Sequence, residues 1–136
     1  MKPIRLSDIT AGKTKGLDGL PRALGRLPPG VMNGTEREYA DLLEWERRGG
    51  VIAWYGFELL HLKLAPSTFL IPDFLVLRAD GRLQCHEVKG HWTDDALAKT
   101  KIAASLFPFE FFIVRKQPKR DGGGFSIVSV DHGIRQ

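Results

Sequence analysis

The sequence predicts an α/β domain: a sheet covered by helices. Three observations carry that expectation. Segments near 33–48 and 93–107 begin with capping residues and contain apolar residues at helical spacing. The segments between and after them are short, apolar and rich in aromatic and β-branched residues. Strands this apolar need cover on their faces, and helices supply it.

In order, Asn33 or Thr35 can cap a helix that runs to about Arg48 and stops at Gly49-Gly50. At 100° per residue, Tyr39, Leu42 and Leu43 share its inner face. Glu36 lies near that face and Glu38 lies off it. Val51 to Leu64 reads as one long strand or as a strand bent at Gly56. Ala65-Pro66-Ser67 is a turn. Phe69 to Leu77 is a second strand, interrupted by Pro72, which cannot donate to a ladder. Ala79-Asp80-Gly81 is a hairpin turn, and Arg82 to Lys89 is the third strand. Thr93 caps a second helix, with Asp94 and Asp95 in its first turn and Pro108 past its end. Phe109 to Arg115 is a fourth strand, apolar enough to be central. After the loop Asp121-Gly122-Gly123-Gly124, Phe125 to Val130 is a fifth.

The bulk properties fit one domain with a real core. The chain has 136 residues, 43% of them hydrophobic and 26% charged. Cys85 is the one cysteine, so no internal disulfide forms. Cys85-His86 lacks the partners of a zinc site, because His61, His91 and His132 show no ligand spacing. No Gly-rich phosphate loop precedes a helix. No apolar run reaches membrane-spanning length, and no apolar block follows Lys2 and Arg5, so the expected location is the cytoplasm.

Charge divides the chain into an arm over 1–30 and a domain over 31–136. The arm is rich in Gly and Pro and carries Lys2, Arg5, Lys13, Lys15, Arg22 and Arg26 against Asp8 and Asp18. That excess equals the whole formal net charge of +4. A basic arm on a neutral body suits a polyanionic partner as well as it suits plain solubility.

One constellation carries chemistry. Side chains alternate along a strand, so Glu87 and Lys89 share a face and Val88 takes the other. If Ala79-Asp80-Gly81 is a three-residue loop, Arg78 faces Arg82, and residues equidistant from Asp80 are partners. Asp73 then faces Glu87, with Cβ atoms about 5 Å apart. A two-residue turn would slip the register and put Asp73 on the wrong face. Two carboxylates that close repel unless a cation lies between them. Oxygen ligands suit Mg²⁺ or Mn²⁺, which polarises phosphoryl oxygens and acidifies water. Lys89 can orient the attacking water and offset developing charge. A solvated sheet face is the ordinary explanation of such a trio. Asp73 argues against it, as a single acid within Phe69 to Leu77, where an unpartnered charge is costly.

Pro72-Asp73, thirteen residues, then Glu87-Val88-Lys89 resembles the motif of the PD-(D/E)XK nuclease superfamily. The element order over roughly 33–130 resembles its restriction-endonuclease-like αβββαβ core, a mixed central sheet flanked by helices. Met32-Asn33-Gly34-Thr35-Glu36, Thr68 to Phe74, His86 to Gly90 and Phe107-Pro108-Phe109 are similar to phage and prophage nucleases of the Holliday-junction-resolvase kind. The resemblance implies a catalytic set of Glu36, Asp73, Glu87 and Lys89. It implies Mg²⁺ or Mn²⁺ held by Asp73, Glu87 and the Val88 carbonyl, with Glu36 completing or buffering the site. It also implies a homodimer acting on branched DNA. A DNA-binding module without catalysis and a nuclease for linear or damaged duplex are the alternatives, and RNA is left open as substrate.

Other residues fit a nucleic-acid partner or an ordinary surface, and for Lys101 the ordinary surface is the better reading. Lys101 sits near the edge of the inner face of the second helix. Arg115, Lys116, Lys119 and Arg120 cluster after the fourth strand and suit phosphates. Glu58, an acid in an apolar strand, is a candidate to join the site. Trp45 and Trp54 read as core, and Trp92, just past Glu-x-Lys, reads as core or cleft wall.

Overall fold

The computed structural model describes residues 30–130. The expected arm therefore lies outside the described residues, except for Gly30. The first helix, α1, spans Gly34–Arg48. Asn33 caps it. The Asn33 side chain accepts from the Glu36 N–H at 2.8 Å, and the Glu36 carboxylate accepts from the Asn33 N–H at 2.9 Å. This reciprocal pair satisfies two N–H groups that the helix cannot.

Strands follow as β1 (Ile52–Phe57), β2 (Leu62–Ala65), β3 (Thr68–Leu70), β4 (Phe74–Arg78) and β5 (Leu83–Lys89). Helix α2 (Asp94–Leu106) leads to β6 (Glu110–Lys116), a 3-10 turn (Lys119–Asp121) and β7 (Phe125–Ser129). The main sheet is ordered β1-β4-β5-β6-β7. It is mixed: β5 and β6 run parallel and every other neighbouring pair is antiparallel. The parallel pair brackets α2, the crossover that parallel strands require. The α/β class and the flanking helices are as the sequence predicts.

Two expected strands are each divided. Val51 to Leu64 becomes β1 and β2, and Phe69 to Leu77 becomes β3 and β4. The breaks have local causes. Glu58 ends β1 with φ of 52°, a conformation that turns an L-residue out of a ladder. Pro72 separates β3 from β4 because it has no N–H to donate. The pieces β2 and β3 pair with each other as a small separate sheet.

Two apolar clusters cover the two faces. Tyr39 and Leu43 of α1 pack with Tyr55, Phe74, Val76, Val88 and Val114. Ala103 and Ala104 of α2 pack with Leu62, Leu70, Cys85 and Phe111. Trp45 is not core, as its aromatic character suggested, but 78% exposed. It stands 200° around α1 from Leu43, on the outer side. Among the described residues, no helix is long and apolar enough to cross a membrane.

Candidate active site

The hairpin register decides what meets at the end of β5. Phe74 partners His86, Leu75 partners Cys85, Val76 partners Gln84 and Leu77 partners Leu83. The Arg78 N–H donates to the Arg82 carbonyl at 2.8 Å. The loop is the three-residue form, and Asp73 lies opposite Glu87 as the sequence implies. Beyond Phe74 the ladder is completed by side chains. The Asp73 N–H donates to Glu87 Oε1 at 2.9 Å, and the Val88 N–H donates to Asp73 Oδ2 at 2.8 Å. The edge of β5 thus runs past β4 without leaving its amide unsatisfied.

On the other side of Asp73 stands Glu58. The Glu58 N–H donates to the Asp73 carbonyl at 2.9 Å, so Glu58, Asp73 and Glu87 lie in a row at the ends of β1, β4 and β5. Glu58 in turn accepts from the Gly30 N–H through Oε2 at 2.8 Å. Glu36 arrives from the first turn of α1. Carboxylate oxygens of Glu36, Glu58 and Asp73 lie within 4.8 Å of one another. Glu87, expected as a primary ligand beside Asp73, is the neighbour of this trio and not one of it. Its Oε1 is taken by the Asp73 backbone.

All four acids share one device. Each has one oxygen held by a backbone N–H: Glu36 by Asn33, Glu58 by Gly30, Asp73 by Val88 and Glu87 by Asp73. Each keeps a second oxygen with no hydrogen bond to a described residue. Backbone amides fix the carboxylates in place while leaving one acceptor apiece.

The electrostatics are unfavourable as they stand. Asp73, Glu36 and Glu87 are buried. Burial, with the Glu87 charge next, raises the Asp73 carboxyl far above its usual range. Burial raises Glu87 to about 7, against the lowering effect of Lys89 and the Asp73 N–H. Lys89 is half-buried, and its charge eases both acids. Among the described residues Lys89 makes no ion pair within 4.0 Å.

The basic residues named from the sequence separate. Arg115 is the parallel partner of Lys89 and lies on the site's side of the sheet. Lys116, on the opposite side, pairs with Glu38 of α1 at 2.8 Å. Lys119 and Arg120 stand exposed in the 3-10 turn, and Lys101 is exposed on α2. His86 faces away from Glu87, as strand alternation requires. It lies 2.6 Å from the Tyr39 hydroxyl through Nδ1 and 3.0 Å from Gln84 Oε1 through Nε2.

Glu58 is the site residue hardest to find from sequence. Its signal is the one Asp73 gives, an acid at the end of an apolar strand. Its left-handed backbone is what aims it. No family model, curated protein or solved structure matches the chain.

Proposed function

We propose that the chain is a divalent-metal-dependent endonuclease of the PD-(D/E)XK kind, with Asp73, Glu87 and Lys89 at its centre and Glu36 and Glu58 beside them. The observation that carries the reading is the set of four tethered carboxylates next to Lys89. Buried acids that repel each other, each with an uncommitted oxygen, are stabilised by a bound cation. The donor set is entirely hard oxygen, which fits Mg²⁺ or Mn²⁺. Asp73, Glu36 and Glu58 would hold the ion, since their oxygens lie within 4.8 Å of one another, and Glu87 and, by the resemblance, the Val88 carbonyl would be further ligands. When bound, it supplies Lewis acidity toward a phosphoryl oxygen and a more acidic water.

The chain's own residues have distinct parts. Lys89 donates to the attacking water or to a phosphate oxygen and offsets charge that develops there. Asp73 and Glu87, held by amides, keep their free oxygens fixed without reorganisation. Arg115, one strand away, takes a neighbouring phosphate, and the basic arm adds non-specific attraction to the strand. Branched DNA is the preferred substrate by resemblance to the resolvase-like nucleases. A homodimer in the cytoplasm belongs to the same reading.

The test is incubation with four-way-junction DNA and with a linear duplex of the same sequence, in Mg²⁺ or in EDTA, beside Asp73→Asn. Metal-dependent cutting that the variant lacks is the expected result, with the junction cut faster. No cutting by folded protein with Mg²⁺ or Mn²⁺ would overturn the nuclease reading.

A further inference from the structure

The face of the sheet that presents Glu87 and Lys89 continues sideways into a cavity of about 260 Å³. Trp92, Leu97, Ile113, Arg115, Ser126 and Val128 line it. Strand register explains its position. Glu87 partners Ile113, which partners Val128; Lys89 partners Arg115, which partners Ser126. Paired residues share a face, so the floor of the cavity starts one strand, about 4.8 Å, from the Glu-x-Lys pair. The opposite wall comes from Trp92, just before α2, and Leu97 in its first turns.

The lining has a definite chemistry. Most of it is apolar or aromatic. Arg115 and Ser126 add a cation and a hydroxyl. The indole Nε1 of Trp92 is buried and has no hydrogen-bond partner among the described residues. A buried donor without an acceptor is uncommon in folded proteins.

We propose that this cavity receives the base of an unpaired nucleotide beside the cleaved phosphate. The inference rests on the nuclease reading for the position of that phosphate. A base offers flat faces to Trp92, Leu97 and Ile113, and an edge acceptor to the Ser126 hydroxyl. Arg115 lies between the cavity and Lys89, where the nucleotide's own phosphate would be. The volume falls just below the roughly 300–1,000 Å³ of pockets for drug-sized ligands, so it suits one heterocycle and not a base pair. A stacked duplex cannot deliver a base there without unpairing it. The substrate is therefore a strand with an unpaired nucleotide at or next to the cut, as at a branch, a flap or a single-stranded stretch.

The test is binding of the full chain, in EDTA, to short single-stranded DNA and RNA oligonucleotides and to the same strands carrying abasic sites. Wild type should bind base-bearing strands at least about tenfold more tightly than abasic ones, the size expected for stacking one base. The stronger of the DNA and RNA arms identifies the sugar. Trp92→Ala and Ser126→Tyr, which fills the cavity from the edge strand, should each lower base-bearing strands to the abasic level and leave abasic binding unchanged. Equal binding of intact and abasic strands by wild type, no binding at all, or a preference that survives in both variants would overturn the proposal. Base-selective binding without metal-dependent cutting would keep the cavity and remove the nuclease. Cutting of abasic strands at the full rate would keep the nuclease and remove the cavity.

Discussion

Alternate residues of β5 enter two opposite environments. Gln84, His86 and Val88 face α1, where the polar side chains of β5 are matched. The His86 ring lies between the Tyr39 hydroxyl and Gln84 Oε1, and the Gln84 amide reaches Glu110 at 3.3 Å. With Gln84 Oε1 as acceptor, His86 carries its proton on Nε2 and accepts from Tyr39 at Nδ1. Cys85, Glu87 and Lys89 face the other way, and at their end of the strand acids accumulate faster than cations. At similar depth one side holds a neutral, hydrogen-bonded set around His86, and the other holds acids that burial opposes. The first side stabilises the fold. The second reduces stability, a pattern common at functional sites.

The sharpest way to break the contrast is Asp73→Asn. The amide keeps an acceptor for the Val88 N–H and removes a buried ionisable group. Cleavage should fall to background, while thermal stability in EDTA stays level or rises. A cleaving variant, or one much less stable, would mean that Asp73 is structural. Next is Lys89→Met, which should lower the cleavage rate on the order of 10²–10³-fold, the usual effect of losing one transition-state donor. A loss under tenfold would remove Lys89 from the chemistry. On the other face, Tyr39→Phe leaves His86 Nδ1 without its partner. It should cost about 1–3 kcal/mol in denaturant unfolding and leave cleavage untouched. An effect on rate would show that the two faces are coupled.

pH separates the faces by sign. Glu87 is raised to about 7 and Asp73 is raised further. The folded state therefore holds their protons where the unfolded state, near pH 4, has released them. Their contribution to stability is present at low pH and is lost as pH rises from about 4, through about 7 for Glu87 and on to about 9 for Asp73. His86 is lowered to about 4, first by burial and then by Arg78. Its contribution is present above the unfolded value near 6.5 and is lost as pH falls from there toward 4. In EDTA the two slopes oppose each other. With Mn²⁺ the acids are compensated and protons compete with the ion, so the melting temperature should climb with pH. Identical pH slopes with and without Mn²⁺ would place the ion elsewhere. The smallest effect belongs to the exposed Trp45: Trp45→Ala should shift stability by no more than about 0.5 kcal/mol.

Much of this was legible because its causes are local. Asn33 and Thr93 announce helix starts, and the spacing of Tyr39 and Leu43 defines an inner face that also takes Glu36. The three residues Ala79-Asp80-Gly81 set the register, and register alone brings Asp73 to Glu87. Trp45 shows the limit of residue type without position. Its aromatic ring suggests core, yet its angle on α1 puts it in solvent.

What tertiary structure decided is pairing between distant segments. Periodicity marks a strand but does not choose its neighbour. Only the folded sheet joins β1 to β4 across the small β2-β3 hairpin, and so brings Glu58 to Asp73. Only the crossover through α2 lays β6 parallel to β5, which puts Arg115 beside Lys89 and opens the cavity under Trp92. The backbone amides that tether the four acids were also hidden. They are present in every residue, and only the way the strands end decides which of them are left for a carboxylate to satisfy. From its residues alone the chain determined which elements form and which side chains share a face. The fold determined which of those faces meet, because contacts far apart in sequence depend on the whole packing and not on any local spacing.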